Sequence, residues 1–246
     1  MKLKICFSKL FTRSLFVPVI VMMLDLSSVT AQSFVKVGLG IPTGDFNEGS
    51  LLESMGNDRF NAAAVGLSAG YIRRWQTGAD GGVFLSVDVF YNTLDRSYRD
   101  ELKDFLADNY ASWDVVFPKY INIPVGVGYS HAVSLNDSEL YLNVGINFHL
   151  LKLTPFETRI EDVYEQDSEV TYTWTYNIGF MLSLLYRINE KYYVFADYFP
   201  LGTSKVKARV NRVVFDEYHQ EVYKDAFSDY FNQPVEFFRV GVAIGL

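Results

Sequence analysis

One cysteine, Cys6, is all the thiol chemistry the chain possesses, and it precedes an N-terminal apolar run. Disulfides and thiolate metal sites are therefore excluded from everything downstream of that run. Basic runs are missing as well. The 22 Lys and Arg stand against 29 Asp and Glu, a net charge of −7, so nucleic acid is not among the expected partners. No later segment is apolar for long enough to cross a bilayer as a helix. Any membrane crossing after the N-terminus must be made by strands.

The N-terminus has its own logic. Lys2, Lys4, Lys9 and Arg13 precede an apolar run from Ser14 to Leu24, and Val29-Thr30-Ala31 supplies small residues after it. This reads as a secretory signal peptide, residues 1–31, cut after Ala31. Its removal takes away Cys6, four basic residues and Asp25, leaving 18 basic against 28 acidic residues. Residues 32–246 then form one domain.

Strand periodicity fills that domain. In Leu140 to Leu151, Leu140, Leu142, Val144, Ile146, Phe148 and Leu150 share one side of an extended chain. Tyr141, Asn143, Gly145, Asn147 and His149 share the other. Similar segments of about ten residues recur about eight times, the signature of a transmembrane β-barrel. The other strands are expected near 34–41, 62–75, 83–92, 115–130, 171–187, 192–201 and 235–246. The expected fold is all-β: a single eight-stranded antiparallel up-and-down barrel with long extracellular loops, in the outer membrane of a Gram-negative bacterium, both termini periplasmic. Aromatic content of 16% suits the interfacial girdles of such a barrel. Short connections fall near 76–82, 133–139 and 188–191, and long ones near 42–61, 93–114, 152–170 and 202–234.

Phase and height assign the lumen. Asp88, Asp197 and Arg239 point inward at similar heights above the short turns, which predicts an ion-pair cluster that plugs the barrel. Lys36, Arg74, Asn122, Asn143, Asn147 and Arg187 are the other expected polar lumen residues. In the loops, Ser97 and Asp100 resemble a helix start, and Leu102, Phe105, Leu106 and Tyr110 follow at helical spacing. The third long loop carries Glu157, Glu161, Asp162, Glu165, Asp167 and Glu169, which reads as a solvated acidic loop, with a Ca²⁺ or Mg²⁺ site as the alternative. The fourth reads as a hairpin beyond the membrane, followed by one helical turn through Ala226, Phe227, Tyr230 and Phe231. Leu102, Phe105, Tyr110, Phe227, Tyr230 and Phe231 are the candidate partner-binding residues, with packing between loops the competing role.

Pro124 interrupts an otherwise regular strand, read as an inward local distortion. The segment around it, Tyr120-Ile121-Asn122-Ile123-Pro124, is similar to the YLEIP strand of many β-barrel proteins of the Bacteroidetes outer membrane. Gly38 to Phe46 resembles their first strand and loop, and the Ala31-Gln32 junction suits them. This resemblance to the OmpA-like and PorT-like outer-membrane β-barrel family covers essentially the whole mature chain. It implies a small barrel and brings no catalytic residue. Such barrels commonly end on an aromatic residue, whereas this chain ends on Leu246.

Three function classes follow. The first is a structural or interaction barrel, including a subunit of a larger outer-membrane complex. Its partners are outer-membrane lipid, lipopolysaccharide and other outer-membrane or periplasmic proteins, and it has no cofactor. The second is a narrow channel for small solutes or lipophiles. The third is a lipid-modifying enzyme, for which the three histidines are the candidates. Ser130-His131, His149 and His219 do not converge in sequence on a Ser/His/acid arrangement, so a non-enzyme is expected.

Overall fold

Alternating apolar and small or polar residues leave these segments two faces, and a closed sheet satisfies both. The computed structural model describes residues 31–42, 65–77, 80–93, 96–135, 138–161, 164–200, 203–234 and 237–246. The expected signal peptide up to Thr30 and nearly all of the first long connection lie outside these residues. The strands are β1 (Ala31–Pro42), β2 (Gly66–Gln76), β3 (Gly81–Thr93), β4 (Ser112–Val116), β5 (Lys119–Leu135), β6 (Ser138–Leu153) and β7 (Phe156–Glu161). They continue with β8 (Glu165–Tyr172), β9 (Thr175–Arg187), β10 (Tyr192–Phe199), β11 (Thr203–Phe215), β12 (Glu221–Pro234) and β13 (Phe237–Gly245). One helix, α1 (Arg96–Asn109), lies between β3 and β4.

Eight strands close a barrel in the order β1-β13-β10-β9-β6-β5-β3-β2, and β2 returns to β1. Every neighbouring pair is antiparallel. Val144 is 55% exposed while its neighbour Asn143 is 1% exposed. The same contrast runs around the wall, and Val37, Leu67, Val127, Ile178, Phe180 and Val242 all face outward. This is the belt that a bilayer's hydrocarbon requires of a spanning barrel. No helix among the described residues is long and apolar enough to cross a membrane.

Tight turns join strands at one end, the turn end. Asn189 Oδ1 accepts from the backbone N–H groups of Lys191 (3.0 Å) and Tyr192 (2.9 Å) and so closes the β9–β10 connection. His131 lies within β5, paired with Gly81 and Leu142. The β5–β6 hairpin runs on to Leu135 and Ser138, so its turn is shorter than expected. Pro124 breaks the wall on one side only. The β5–β6 ladder passes through Pro124 and His149, whereas the β3–β5 ladder stops at Val87–Val125 and resumes at Phe90–Asn122. Proline has no N–H to donate, and the gap falls where that donor would be used.

The second, third and fourth long connections are not simple loops. Beyond the barrel's other end stands a second sheet in the order β12-β11-β8-β7-β4. Its strands adjoin β13, β10, β9, β6 and β5 in sequence, and the two orders correspond strand for strand. Five barrel strands thus continue past the belt after short breaks, among them Phe117-Pro118, Thr154-Pro155 and Thr173-Trp174. The expected strands at 115–130 and 171–187 are each divided by such a break. The second sheet has a small core of Phe156, Val170, Ala208 and Val210, with Leu102, Val115, Phe117 and Tyr172 packed against it.

Two cross-strand glycine pairs shape the interior. Gly38 faces Gly241 across β1–β13, and Gly128 faces Gly145 across β5–β6. A methyl group at Gly241 would meet Phe195 Cε1 at 2.8 Å and the Val37 carbonyl oxygen at 2.2 Å, while one at Gly245 would find nothing nearer than 3.4 Å. Gly241→Ala should therefore destabilise the barrel by about 1–3 kcal/mol, while Gly245→Ala leaves it nearly unchanged. Denaturant unfolding in detergent would compare them. Equal stability of the two variants would mean that the ring and carbonyl do not confine this site.

Candidate functional site

The lumen is the most constrained part of the molecule, and its centre is charged. Asp197 on β10 lies directly across from Arg239 on β13. Arg239 donates from Nε to Asp197 Oδ2 at 2.9 Å and from Nη1 to Asp88 Oδ1 at 2.8 Å, and its Nη2 also bonds Asp197 Oδ2. The planar guanidinium can serve two carboxylates at once because its donors diverge in a fixed fork. The three residues expected to meet do so. Lys36 on β1 joins them, 3.3 Å from Asp88 Oδ1 and 3.1 Å from Asp197 Oδ2. Two cations and two carboxylates give a neutral cluster, and all four side chains are fully enclosed.

Aromatic rings close the cluster on both sides. Phe195 lies beneath both cations, 5.5 Å from Lys36 Nζ and 4.9 Å from Arg239 Cζ. Toward the turn end, Phe34, Tyr141 and Tyr193 form one group, with Phe34 and Tyr193 edge to face at 4.8 Å. Arg74 stacks on Tyr141 at 3.8 Å and donates to Ser130 Oγ (2.6 Å) and Gln32 Oε1 (2.8 Å). Toward the loop end, Phe237 stacks on Phe90 at 5.0 Å and on Tyr120 at 5.5 Å, and Phe199 meets Phe90 and His149 edge-on.

The asparagines expected in the lumen line the β5–β6 wall, while Ser68, Ser86 and Asn92 are buried polar residues of β2 and β3. Asn122 sets its amide against His149 Nδ1, with Nδ2 at 3.1 Å and Oδ1 at 3.2 Å. Asn143 donates to Ser183 Oγ and Asn147 to the Phe180 carbonyl, each at 3.4 Å. Arg187 is not inside. It ends β9 at the turn-end rim, across from Tyr193 of the last packed layer, with its side chain 31% exposed and 3.4 Å from Glu139.

The loop-end candidates divide. Helix α1 forms as expected, beginning at Arg96, with an Arg96–Asp100 contact at 3.3 Å and the Asn109 side chain capping the Phe105 carbonyl at 2.7 Å. Its apolar residues do not share one exposed face. Leu102 joins the small core and Leu106 is buried, while Phe105 is 55% exposed. Tyr110, just past the helix, is half-buried. The expected helical turn at 226–231 is instead part of strand β12. Phe227 and Tyr230 therefore point to opposite faces, one paired across from Val210 and the other from Lys207. The side chain of Phe231 lies outside the described residues.

The acidic third connection is the β7–β8 hairpin. Arg159 crosses it to Asp167 at 2.9 Å, and that hydrogen bond and charge hold the guanidinium above its ordinary pKa. Among the described residues no three His, Cys, Asp or Glu are gathered as metal ligands. The histidines stand apart: His131 on β5, His149 in the lumen, and His219 at the β11–β12 tip, 3.0 Å from Glu165.

No family model matches the chain, and no curated protein matches it. The family resemblance thus rests on the quoted motifs alone. Similar solved structures include a major outer membrane protein from Thermus thermophilus, at 12% identity and a TM-score of 0.48, covering 88% of this chain and 100% of that chain. Another is the outer membrane protein OprG from Pseudomonas aeruginosa, at 12% identity and a TM-score of 0.43, covering 90% and 98%. A third is the attachment invasion locus protein Ail of Yersinia pestis in complex with the heparin analogue sucrose octasulfate, at 10% identity and a TM-score of 0.36, covering 88% and 99%.

Proposed function

We propose that this chain is a non-conducting outer-membrane barrel that presents its loop-end sheet to partners outside the cell. The observation that carries the reading is the filled lumen. A neutral, enclosed four-residue ion cluster between two aromatic groups leaves no continuous path for a solute. The apolar belt and basic, apolar N-terminus support export to a membrane crossed by strands. The short-turn end then faces the periplasm with both termini, and the family remains that of small Bacteroidetes barrels. Other outer-membrane or periplasmic proteins are the partner class, and no catalytic role is assigned. Beyond the belt, Phe105, Tyr223, Phe227 and Tyr230 are exposed aromatics of the kind that bind partners.

Planar-bilayer recording tests the reading. Purified wild-type protein should insert without stable conductance steps. Reproducible open-channel current would replace the platform with the narrow channel. Orientation has a separate test: a protease site in the Asp216–Gln220 turn should be cut on intact cells, and one in the Ile188–Lys191 turn should not. The reverse pattern would invert the barrel.

A further inference from the structure

The outer face of the loop-end sheet is sorted by charge. Along β11, Lys207 and Arg209 alternate with buried Val206, Ala208 and Val210, so both cations point away from the core. Lys207 lies at the level of Thr173, whose N–H donates to its carbonyl at 3.0 Å, and Trp174 of the exposed belt is the next residue. Arg209 pairs with Thr171 on one side and Ser228 on the other. The same level continues around the wall. Lys152 faces outward between buried Leu151 and Leu153 and reaches the Tyr172 carbonyl. Lys119 is exposed one residue from buried Tyr120. Tyr230 completes the row, with Lys207 Nζ 6.0 Å from its ring.

Carboxylates occupy the next levels outward. Asn211 pairs with Glu169, which pairs with Glu157; Val213 pairs with Asp167, which pairs with Arg159 and then Asp114. Arg159, at that level, is paired with Asp167 and Glu165. Among the described residues, no carboxylate forms an ion pair with Lys119, Lys152, Lys207 or Arg209. Among the described residues, four cations without an ion pair, Lys119, Lys152, Lys207 and Arg209, thus stand in one row that borders the apolar belt of an acidic chain. Surface electrostatics favour an anion there, and the belt fixes where that anion's acyl chains must lie.

We propose that this cationic row binds the phosphate groups of the anionic glycolipid in the leaflet it borders, with Lys207 and Arg209 as the principal contacts. Two residues apart on one face of a strand, they are separated by on the order of 7 Å, so both can reach one phosphate. Lys152 and Lys119 extend the row to a neighbouring headgroup. Trp174 and Tyr176 sit below it at the depth where amphipathic rings favour the interface. The carboxylate levels above repel a phosphate and keep the headgroup at the height of the basic row.

The proposal rests on the outer-membrane reading but is tested without it, in detergent. Lipid A bearing two phosphates is titrated against the purified, heat-modifiable full chain, and bound lipid is counted by native mass spectrometry. The expected result is saturable binding that falls steeply as salt rises. The dephosphorylated lipid should bind weakly, and Lys207→Gln with Arg209→Gln should weaken binding of the phosphorylated form by about tenfold to thirtyfold. Glu157→Gln with Glu169→Gln should leave it unchanged or tighter. Equal binding of the two lipids, or unchanged affinity of the Lys207/Arg209 variant, would overturn the proposal. Should the double variant not fold, the comparison of the two lipids on wild-type protein decides alone. A failed protease or conductance test would remove the platform reading and leave this result standing.

Discussion

Arg239→Gln is expected to cost the folded barrel about 3–5 kcal/mol, because it leaves buried carboxylates short of a cation. Asp88 and Asp197 would both depend on Lys36, which already serves the two at 3.3 and 3.1 Å. Glutamine keeps some hydrogen bonding but neither the charge nor the fork. Removing Asp197 as well should restore much of the loss. In the Arg239→Gln, Asp197→Asn variant, Lys36 and Asp88 remain as a balanced pair. The double variant should thus be more stable than Arg239→Gln alone, with a coupling of about 1–3 kcal/mol across the cycle. Unfolding in detergent, followed by loss of heat-modifiable gel migration, measures all four corners. Additive losses would mean that the four groups are separately solvated, and the lumen would have to be treated as wet.

Val144→Arg should lower stability by about 2–4 kcal/mol, the cost of a cation at mid-depth on a lipid-facing wall. Val144→Leu at the same position should be nearly neutral. Val144 faces Tyr129 and Leu182 across its two ladders, with Ile146 and Val127 beside them, so no carboxylate is at hand for the guanidinium. Asn143 is no tolerant control for an arginine, enclosed as it is beside Ser183. A filled interior makes large inward substitutions costly as well. Folding of Val144→Arg as efficiently as wild type in vesicles would show that this face does not meet hydrocarbon.

What could be read from the chain depended on whether one side of each strand was strictly apolar. Leu140 to Leu151 satisfied that condition and set its own phase. Asp197 and Arg239 followed, because adjacent strands of equal rise bring residues equidistant from the turn end to one level. The part of Lys36 was harder to see. Its inward phase was clear, but its height relative to Asp88 depends on the stagger between β1 and β3, which alternation alone does not fix. Arg187 shows the opposite limit: its inward phase sets it across from Tyr193, but parity does not say that this level is the open rim.

The loop-end sheet stayed hidden for a physical reason. Glu157, Arg159 and Glu161 occupy the solvent side of β7 and Phe156, Thr158 and Ile160 the other, an alternation only six residues long inside a strongly acidic segment. Over 221–228 both faces of β12 are largely exposed, and Ala226, Phe227, Tyr230 and Phe231 fall by coincidence at helical spacing. Pairing with β11 along thirteen register positions overrode that local hint. Neighbouring strands specify such a segment more strongly than its own periodicity does.

The seam between β1 and β13 has a consequence for the order in which the protein is made. Most neighbouring strands in the barrel are joined by connections within one stretch of chain, and hairpins form locally and early. Phe34 and Gly245, by contrast, come from opposite ends of the described chain. Lys36 belongs to the first strand and Arg239 to the last, so the interior charges cannot neutralise one another until the ends meet. Before that moment the half-open sheet carries stranded charges on the surface that must become its inside. Its closure is therefore also the step that expels water from them, and an assembly factor holding the β1 edge would be holding an electrostatically unfinished protein.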